Sequence, residues 1–465
     1  MALRPDVSRT VVVGGGIAGL TAALRLERLL PGTEVVLVES APHLGGKIVT
    51  ERIGEFVVDG GPDSFLTSKP RGVGLCDELG LSSRLIPRES RDSRTFVRLR
   101  GQLHTLPAGL TGMIPTRLDS MAESGILSED GLARLARELE LPPAPRNGDE
   151  SIAAFIRRRM GVEAYERLVG PLMCGIFGGN GDRLSLAATF PALRGLELEH
   201  GSVMRGLLAR SVPNGDAPAP FVSLRGGMAE LVECLILRLN ATRVVTGCTV
   251  TSMRRANRGR GYDLCLGAGE ALTADAVVLA TPAYVAAGLL EPLDTTLAEA
   301  HAGIPHASSA IVTLAYPSSD VPRALDGYGY VVPEVEGSDV LACTWSSSKW
   351  PGRAPAGHAL VRTYMGRSEG RDVTTDSDAE LVTCARREVS DTLGVDAGPL
   401  FARVHRWQRG MPQYVLGHLD RLATIESRLT EHPRLAVAGA AYRGVGIPDC
   451  IASGEAAAER VAASS

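Results

Sequence analysis

The sequence has few lysines, no run of basic residues and no long apolar stretch. Only Lys47, Lys69 and Lys349 are lysines, and the formal net charge is -4. A nucleic-acid partner is therefore not expected, and any anion site must be built mainly from arginine. No apolar run approaches the roughly 18 residues of a membrane-spanning helix. The N-terminus enters a strand-like run too early for a signal peptide, so we expect a cytoplasmic protein.

The cysteines also carry no visible chemistry. There are eight, none in a C-x-x-C pair and none next to a histidine at metal-ligand spacing. We therefore predict reduced thiols and no metal site.

A glycine fingerprint opens the chain in the stretch "SRTVVVGGGIAGLTAALRLERL". A buried-strand pattern leads into G-x-G-x-x-G and then into a helix, the arrangement that binds a dinucleotide pyrophosphate on the helix N-terminus. A second strand, "TEVVLVES", then ends in an acid suited to the adenosine ribose hydroxyls. The predicted nucleotide contacts here are Gly14, Gly15, Gly16, Ile17, Ala18, Gly19, Glu39 and Ser40.

Two further glycine pairs favour a permanently held flavin over a detachable nicotinamide, which stays the alternative. They lie in "HLGGKIVT" and "FVVDGGPDSFL", where backbone can follow an extended cofactor. A fingerprint followed by Gly-Gly-Arg/Lys resembles the flavin-dependent amine oxidase superfamily, although Lys47 stands where many members have arginine. The resemblance implies non-covalent FAD, and it adds Gly46, Lys47, Gly60, Gly61, Pro62 and Asp63 as contacts.

The C-terminal stretch "GVGIPDCIASGEAAAERV" repeats the pattern of the N-terminal fingerprint, in which glycines precede a helix. In the superfamily a C-terminal helix holds the flavin ring, so backbone at Val445, Gly446 and Ile447 is expected at its pyrimidine side. The segments "TRVVTGCTVTSMRR" and "ADAVVLATPAYVAAGLL" supply further strands, with backbone of Val250 near the adenine. Trp407 resembles the family tryptophan near the cofactor.

These patterns predict an α/β (α+β multidomain) fold whose Rossmann-like FAD domain is assembled from discontinuous segments. We expect that domain at 8–72, 218–292 and 425–465, and a mixed-sheet substrate domain at 73–92 and 293–424. A mostly helical insertion is expected at 93–217, where Asp149 or Ser151 can cap a helix that Gly161 ends.

A narrower resemblance rests on blocks in order along almost the whole chain. They are "GGPDSFL", "GGNGDRLSLAATFPALRGLELEHGS", "LACTWSSSKWPGRAP", "MPQYVLGHLDR" and "YRGVGIPDCIASG". They resemble the protoporphyrinogen/coproporphyrinogen oxidase family of haem synthesis, most closely its monoderm-bacterial branch. The resemblance implies six-electron oxidation of coproporphyrinogen III by FAD, with O₂ consumed and three H₂O₂ released.

Three alternatives stay open. One is protoporphyrinogen IX as the substrate. Another is a different flavin amine oxidase or desaturase, although 4% aromatic residues make an aromatic cage hard to build. The third is a porphyrin carrier without catalysis.

No catalytic residue is assigned, because hydride transfer to a flavin needs no protein nucleophile. Lys69 and His418 are candidates, against the alternatives of a solvated loop lysine and a core histidine. Arg353, Arg362 and Arg443 are candidate anchors for substrate propionates. The apolar segment 103–118 suits a cavity-lining loop better than peripheral contact with the inner face of a membrane, and product hand-over to a haem-pathway enzyme is a further expectation.

Overall fold

The computed structural model describes residues 8–88, 94–145, 148–210, 219–256, 261–267 and 269–463. The predicted domain boundaries at 92–93 and 217–218 lie outside these ranges, as do residues 464–465. The division into three domains therefore stays a prediction.

The strands fall into several separate sheets. In chain order they are β1 Arg9–Val13, β2 Glu34–Val38, β3 Thr50–Ile53, β4 Phe56–Asp59, β5 Phe65–Leu66, β6 Leu85–Pro87, β7 Phe96–Leu99, β8 Gln102–Thr105, β9 Leu110–Thr111, β10 Ile114–Pro115, β11 Phe221–Leu224, β12 Thr242–Val245, β13 Val250–Arg255, β14 Tyr262–Leu266, β15 Ala271–Ala274, β16 Ala276–Leu279, β17 His306–Pro317, β18 Gly329–Val331, β19 Val340–Trp345, β20 His358–Met365, β21 Phe401–Pro412 and β22 Leu435–Val437.

The helices are concentrated between β10 and β11. They are α1 Ile17–Leu29, α2 Pro70–Glu78, α3 Leu118–Ser124, α4 Glu129–Ala136, α5 Ile152–Met160, α6 Val162–Ala164, α7 Gly170–Phe177, α8 Leu186–Thr189, α9 Pro191–His200, α10 Val203–Arg210, α11 Ala229–Leu237, α12 Ala283–Leu290, α13 Thr295–Ala302, α14 Ser346–Lys349, α15 Asp378–Leu393, α16 His418–Leu429 and α17 Ile447–Ala463. A π-helical turn, Tyr165–Val169, joins α6 to α7.

A five-stranded parallel sheet, in the order β12-β2-β1-β16-β22, joins distant parts of the chain. Its central strands are almost entirely apolar and buried, as expected for a parallel sheet covered on both faces. The predicted Rossmann-like sheet built from discontinuous segments is confirmed. Because all five strands are parallel, the loops after β1 and β22 open at the same edge of the sheet.

The helices α1 and α17 pack against each other on one face of this sheet. The two backbones come close at Gly454, where a Cβ atom would lie 2.2 Å from the carbonyl oxygen of Ala18. Only a residue without a side chain allows the backbones to come this close. The first helix of the fingerprint and the last helix of the fold are therefore direct neighbours.

A seven-stranded sheet, in the order β21-β17-β20-β19-β18-β7-β8, forms the second layer. The pair β18–β7 is parallel and its other pairs are antiparallel, which confirms the predicted mixed sheet. Strands β7 and β8 belong to this sheet although they lie within the segment predicted as helical. Their turn is Arg100-Gly101, both with positive φ, a hairpin turn without the usual asparagine or aspartate signature.

After the short strands β9 and β10, the described residues from Leu118 to Arg210 are mostly helical, as predicted. Ser151 is the N-cap of α5, where its side chain accepts the N–H of Ala154, and Gly161 follows its last residue. A buried ion pair, Arg159 with Glu138, ties α5 to the chain after α4, and both side chains are 0% exposed. Such a pair is costly to break, because either partner alone would be an uncompensated buried charge.

None of the helices in the described ranges combines the length and apolarity needed to cross a membrane. Within the apolar segment 103–118, Met113 and Ile114 are buried in the core of the helical part.

Candidate active site

Three fingerprint glycines serve two different purposes. Gly14, with φ +108°, lies against the loop after β16, since a Cβ atom on it would be 2.6 Å from the carbonyl oxygen of Ala280. A Cβ atom on Gly19 would be 1.9 Å from the carbonyl oxygen of Gly14. A Cβ atom on Gly16 would meet no protein atom closer than 4.0 Å. Packing within the protein therefore requires Gly14 and Gly19, whereas Gly16 keeps its backbone open to something outside the chain.

The start of α1 supplies donors at this opening. Gly16 caps the helix without a side-chain hydrogen bond. Within the described residues, the backbone N–H groups of Gly16 and Ala18 donate to no protein acceptor. Unpaired N–H groups and the helix dipole together attract an anion such as a diphosphate.

The acid at the end of β2 lies beside this loop. One carboxylate oxygen of Glu39 accepts the N–H of Gly15 at 2.6 Å, and the other accepts the N–H of Ala41 at 2.7 Å and the hydroxyl of Ser40 at 3.1 Å. These contacts fix the carboxylate next to the pyrophosphate opening and leave one of its roughly four lone-pair positions, on the oxygen that binds Gly15, for a ribose hydroxyl.

The strand β13 begins close to the same acid. The N–H of Glu39 donates to Val245, and the carbonyl of Glu39 accepts the N–H of Cys248 at 2.9 Å. Val250 then starts β13 and is 6% exposed. The chain after β12 therefore brings Val250 toward the end of the site where Glu39 would hold the adenosine.

The glycine pairs at 45–46 and 60–61 line the adjoining backbone. The N–H of Gly45 donates to the carbonyl of Gly15 at 2.8 Å, and Gly16 forms an isolated parallel β-bridge with Gly45. A Cβ atom on Gly61 would lie 1.8 Å from the carbonyl oxygen of Lys47. The two glycine segments therefore run side by side as a continuation of the fingerprint loop.

Two side chains, one buried and one partly buried, hold the carbonyls of the segment 60–61. The indole N–H of Trp407 donates to the carbonyl of Gly60 at 2.9 Å, and Arg362 donates to the carbonyl of Gly61 at 2.6 Å. Trp407 is thus brought to the predicted cofactor segment. Arg362 is 1% exposed, so it holds this loop in place and does not face a substrate carboxylate.

Pro62 is exposed, whereas the next residue, Asp63, is buried and lies among several positive charges around this loop. Its carboxylate accepts from Lys349 at 3.0 Å and from the indole of Trp350 at 3.1 Å, and Arg362 lies at 3.5 Å. Burial opposes ionisation of Asp63, but these cations outweigh it and lower the pKa of the carboxyl. The carboxylate is therefore ionised at neutral pH and fixes the loop by charge.

The rear loop reaches the same edge of the sheet through Val445, Gly446 and Ile447. The carboxylate of Asp449, in the first turn of α17, accepts the N–H of Gly446 at 3.2 Å. Lys69 pairs with that carboxylate at 2.6 Å, and its side chain is 45% exposed. Lys69 is therefore a half-exposed cation at the N-terminus of α17.

Two remaining candidates are already paired with carboxylates of the protein. Arg353 is 1% exposed and binds Asp59 at 3.1 Å and the hydroxyl of Ser223 at 2.7 Å. This burial gives Arg353 a structural role and corrects its prediction as a propionate anchor. Arg443 is an exposed residue paired with Glu426 on α16.

His418 is a core residue. It is 1% exposed, and its Nε2 lies 2.9 Å from the carbonyl oxygen of Tyr442. This position favours the alternative of a core histidine over a catalytic role for His418.

A basic group that sequence reasoning did not find lies beside Lys47. The guanidinium of Arg409 stacks on Tyr284 at 3.8 Å, and that ring makes an edge contact with His306 at 5.1 Å. Burial, together with the charges of Lys47 and Arg409, lowers the pKa of His306 to about 4. Within the described residues, neither Lys47 nor Arg409 forms an ion pair with a carboxylate. No local pattern links these positions, which are far apart along the chain.

Lys47 itself lies at a concave surface. Its side chain is exposed, yet surrounding protein lowers the pKa of its ammonium through desolvation. Next to Gly14, the hydroxyl of Thr281 is buried and has no hydrogen-bond partner among the described residues. Both groups are polar contacts that a bound anionic nucleotide would satisfy.

The site as a whole therefore fits an extended dinucleotide. It offers open N–H groups for a diphosphate, a fixed carboxylate for a ribose, paired glycine backbones, and a second helix N-terminus at the far end.

Comparison with known proteins gives full-length matches. Residues 17–462 match the family described as flavin containing amine oxidoreductase. Coproporphyrinogen III oxidase of Propionibacterium freudenreichii subsp. freudenreichii is 37% identical, covering 98% of this chain and 92% of that protein. Coproporphyrinogen III oxidase of Bacillus subtilis (strain 168) is 34% identical, covering 96% of each. A solved structure from Exiguobacterium sp. 255-15, named provisionally as a protoporphyrinogen oxidase, superposes with a TM-score of 0.89 at 30% identity, covering 98% of this chain and 99% of that one.

Proposed function

This chain belongs to the flavin containing amine oxidoreductase family, and we propose that it oxidises coproporphyrinogen III to coproporphyrin III using non-covalently bound FAD and O₂. The reaction removes six electrons and six protons from the macrocycle in three two-electron steps. Each step reduces one O₂ to H₂O₂, so electrons and protons balance. The substrate assignment is supported by the coproporphyrinogen III oxidases that match nearly the whole chain.

The observation that carries the cofactor part of the proposal is the parallel pairing of β1 and β22 with β16 in one sheet, since α1 follows β1 and α17 follows β22. It puts two helix N-termini at one edge of the parallel sheet, one for a diphosphate and one for a ring that becomes negatively charged. We further propose that residues 8–72, 218–292 and 425–465 form the FAD domain, with 73–92 and 293–424 facing the substrate and 93–217 inserted between them.

When bound, FAD supplies the hydride acceptor for the CH₂ bridges of the substrate. The residues proposed to hold it are those of the fingerprint loop, with Glu39 at the ribose and the backbones of Gly46 and Gly61 along its length. Gly16 supports this fit, because its open front face is not explained by contacts within the protein.

The chain itself would orient the ring and balance charge. Trp407 and Arg362 keep the carbonyls of Gly60 and Gly61 engaged, so the backbone facing the ring cannot relax. The pairing of Lys69 with Asp449 removes a negative charge from the N-terminus of α17. The helix dipole there is then free to stabilise negative charge at the pyrimidine side.

The decisive experiment mixes FAD-loaded protein with each porphyrinogen in the absence of oxygen. Coproporphyrinogen III should bleach the flavin absorbance faster than protoporphyrinogen IX, and air should restore the colour with formation of H₂O₂. Faster bleaching by protoporphyrinogen IX would change the proposed substrate. Porphyrinogen binding without bleaching would indicate a carrier, and a protein unable to take up FAD would remove the whole proposal.

A further inference from the structure

Two stacked rings hold the loop before α17 at three alternate residues. The hydroxyl of Tyr414 donates to the carbonyl of Ala440 at 2.6 Å and accepts the N–H of Gly444 at 2.7 Å. Between these points, Nε2 of His418 lies 2.9 Å from the carbonyl oxygen of Tyr442. The segment 414–418 therefore sets the backbone of loop 440–446 through side chains alone.

Both rings are fixed by burial. Tyr414 is 2% exposed and His418 is 1% exposed, and the rings stack with centroids 4.1 Å apart and an angle of 13° between their planes. Since a carbonyl only accepts hydrogen bonds, Nε2 of His418 carries the proton that it donates to Tyr442. Burial, with the charges of Arg421 and Arg443, lowers the pKa of His418, so the ring is neutral and keeps this tautomer.

The loop they hold is the one proposed to face the flavin. Gly444 has φ +143°, a backbone conformation that few other residues adopt, so the loop needs external support to remain in one shape. Within the described residues, the N–H of Val445 donates to no protein acceptor, while the N–H of Gly446 is taken by Asp449. A displaced Gly444 would therefore move the free N–H of Val445 directly.

We propose that Tyr414 is a positioning residue for the bound flavin. Its hydroxyl fixes loop 440–446 so that the backbone of Val445 donates toward the pyrimidine side of the ring. The inference rests on the proposed function and adds a residue to it that touches neither cofactor nor substrate.

The test compares Tyr414→Phe with Tyr262→Phe. Tyr262 is a matched control, because it is 0% exposed and its hydroxyl donates to a backbone carbonyl, that of Pro433, outside the loop. Both variants should lower the Tm of the apoprotein, Tyr414→Phe by more, because its hydroxyl makes two hydrogen bonds and that of Tyr262 makes one. Only Tyr414→Phe should weaken FAD binding, by about tenfold for the loss of one net hydrogen bond from the N–H of Val445 to the flavin. It should also lower the midpoint potential of the bound flavin, because that N–H would no longer stabilise negative charge on the ring.

In steady-state assays Tyr414→Phe should lower kcat with KM unchanged, since the substrate is not contacted. Wild-type FAD affinity and midpoint potential in Tyr414→Phe would overturn this inference and leave the proposed function intact. A wild-type protein that binds no FAD would overturn both. Hydrogen exchange in the wild-type protein gives a measurement that needs no variant, because the amide of Gly444 should be protected even without FAD, and fast exchange would contradict the proposed contact.

Discussion

Substitutions at Gly16 and Gly19 should separate ligand binding from folding. The backbone of Gly16, at φ -72° and ψ 177°, is available to any residue, and a Cβ atom there meets no protein atom within less than 4.0 Å. Gly16→Ala should therefore leave the apoprotein as stable as wild type, or more stable by about 0.4–1 kcal/mol through loss of unfolded-state entropy. Gly19→Ala places a methyl group 1.9 Å from the carbonyl oxygen of Gly14, and should cost at least about 1–3 kcal/mol.

The order should reverse when FAD binding is measured. The methyl group of Gly16→Ala stands where a diphosphate must approach the open N–H groups, and losing one charge-assisted hydrogen bond costs about 1.5–3 kcal/mol. The Kd for FAD should then rise by roughly 10- to 100-fold. Apoprotein Tm and flavin fluorescence titration measure the two effects, with Gly398→Ala as a control, because a Cβ atom on this exposed glycine would meet no atom within 4 Å. A Gly16→Ala protein that is unstable but binds FAD with wild-type affinity would refute the reasoning.

Three further predictions concern charge. Lys69→Met should lower the midpoint potential of the bound flavin, because Asp449 is left as an unpaired anion at α17. Asp449→Asn should raise that potential. Equal shifts of the two variants in a redox titration would contradict this reasoning. Breaking the buried pair by Arg159→Met should lower the free energy of unfolding by about 3–5 kcal/mol in denaturant titrations. The double variant Arg159→Met/Glu138→Leu should recover most of this loss. If the losses of the two single variants simply add in the double variant, the cost does not come from an isolated buried charge. Burial opposes ionisation of Glu197, but hydrogen bonds from arginine and backbone outweigh it and lower its pKa to about 2. The stabilisation from this carboxylate is therefore full above about pH 4.5 and is lost as the pH falls toward 2. In acid unfolding, Glu197→Gln should lack this part of the pH dependence of the free energy of unfolding.

The fingerprint was predictable because its chemistry is local. Gly14, Gly16, Gly19 and Glu39 lie within one βαβ unit, so spacing along the chain fixes their spacing in the fold. The rear loop was predictable in kind, since glycines before a helix again indicate an open N-terminus. That both loops share one edge of the sheet required long-range pairing, which the resemblance implied and no local pattern contains.

The roles of individual arginines were not predictable in this way. Arg353 and Arg362 were proposed to face a substrate, but Arg362 on β20 turns inward to the carbonyl of Gly61, and Arg353 in the loop before β20 turns inward to Asp59. A residue's face in a sheet depends on register, and a neighbouring loop decides whether that face is covered. Tyr414 lay inside a recognised block, yet nothing in the sequence indicates that its hydroxyl meets a loop some thirty residues further along.

The central strand of the parallel sheet has a consequence for how the protein is made. On the ribosome, Arg9–Val13 can join Glu34–Val38 early, but its other neighbour, Ala276–Leu279, is synthesised much later, and Leu435–Val437 later still. Until then a row of backbone donors and acceptors stays unpaired and open to wrong partners. Cofactor capture is therefore a late event in biogenesis, and nascent chains halted before the last helix should remain flavin-free and dependent on chaperones.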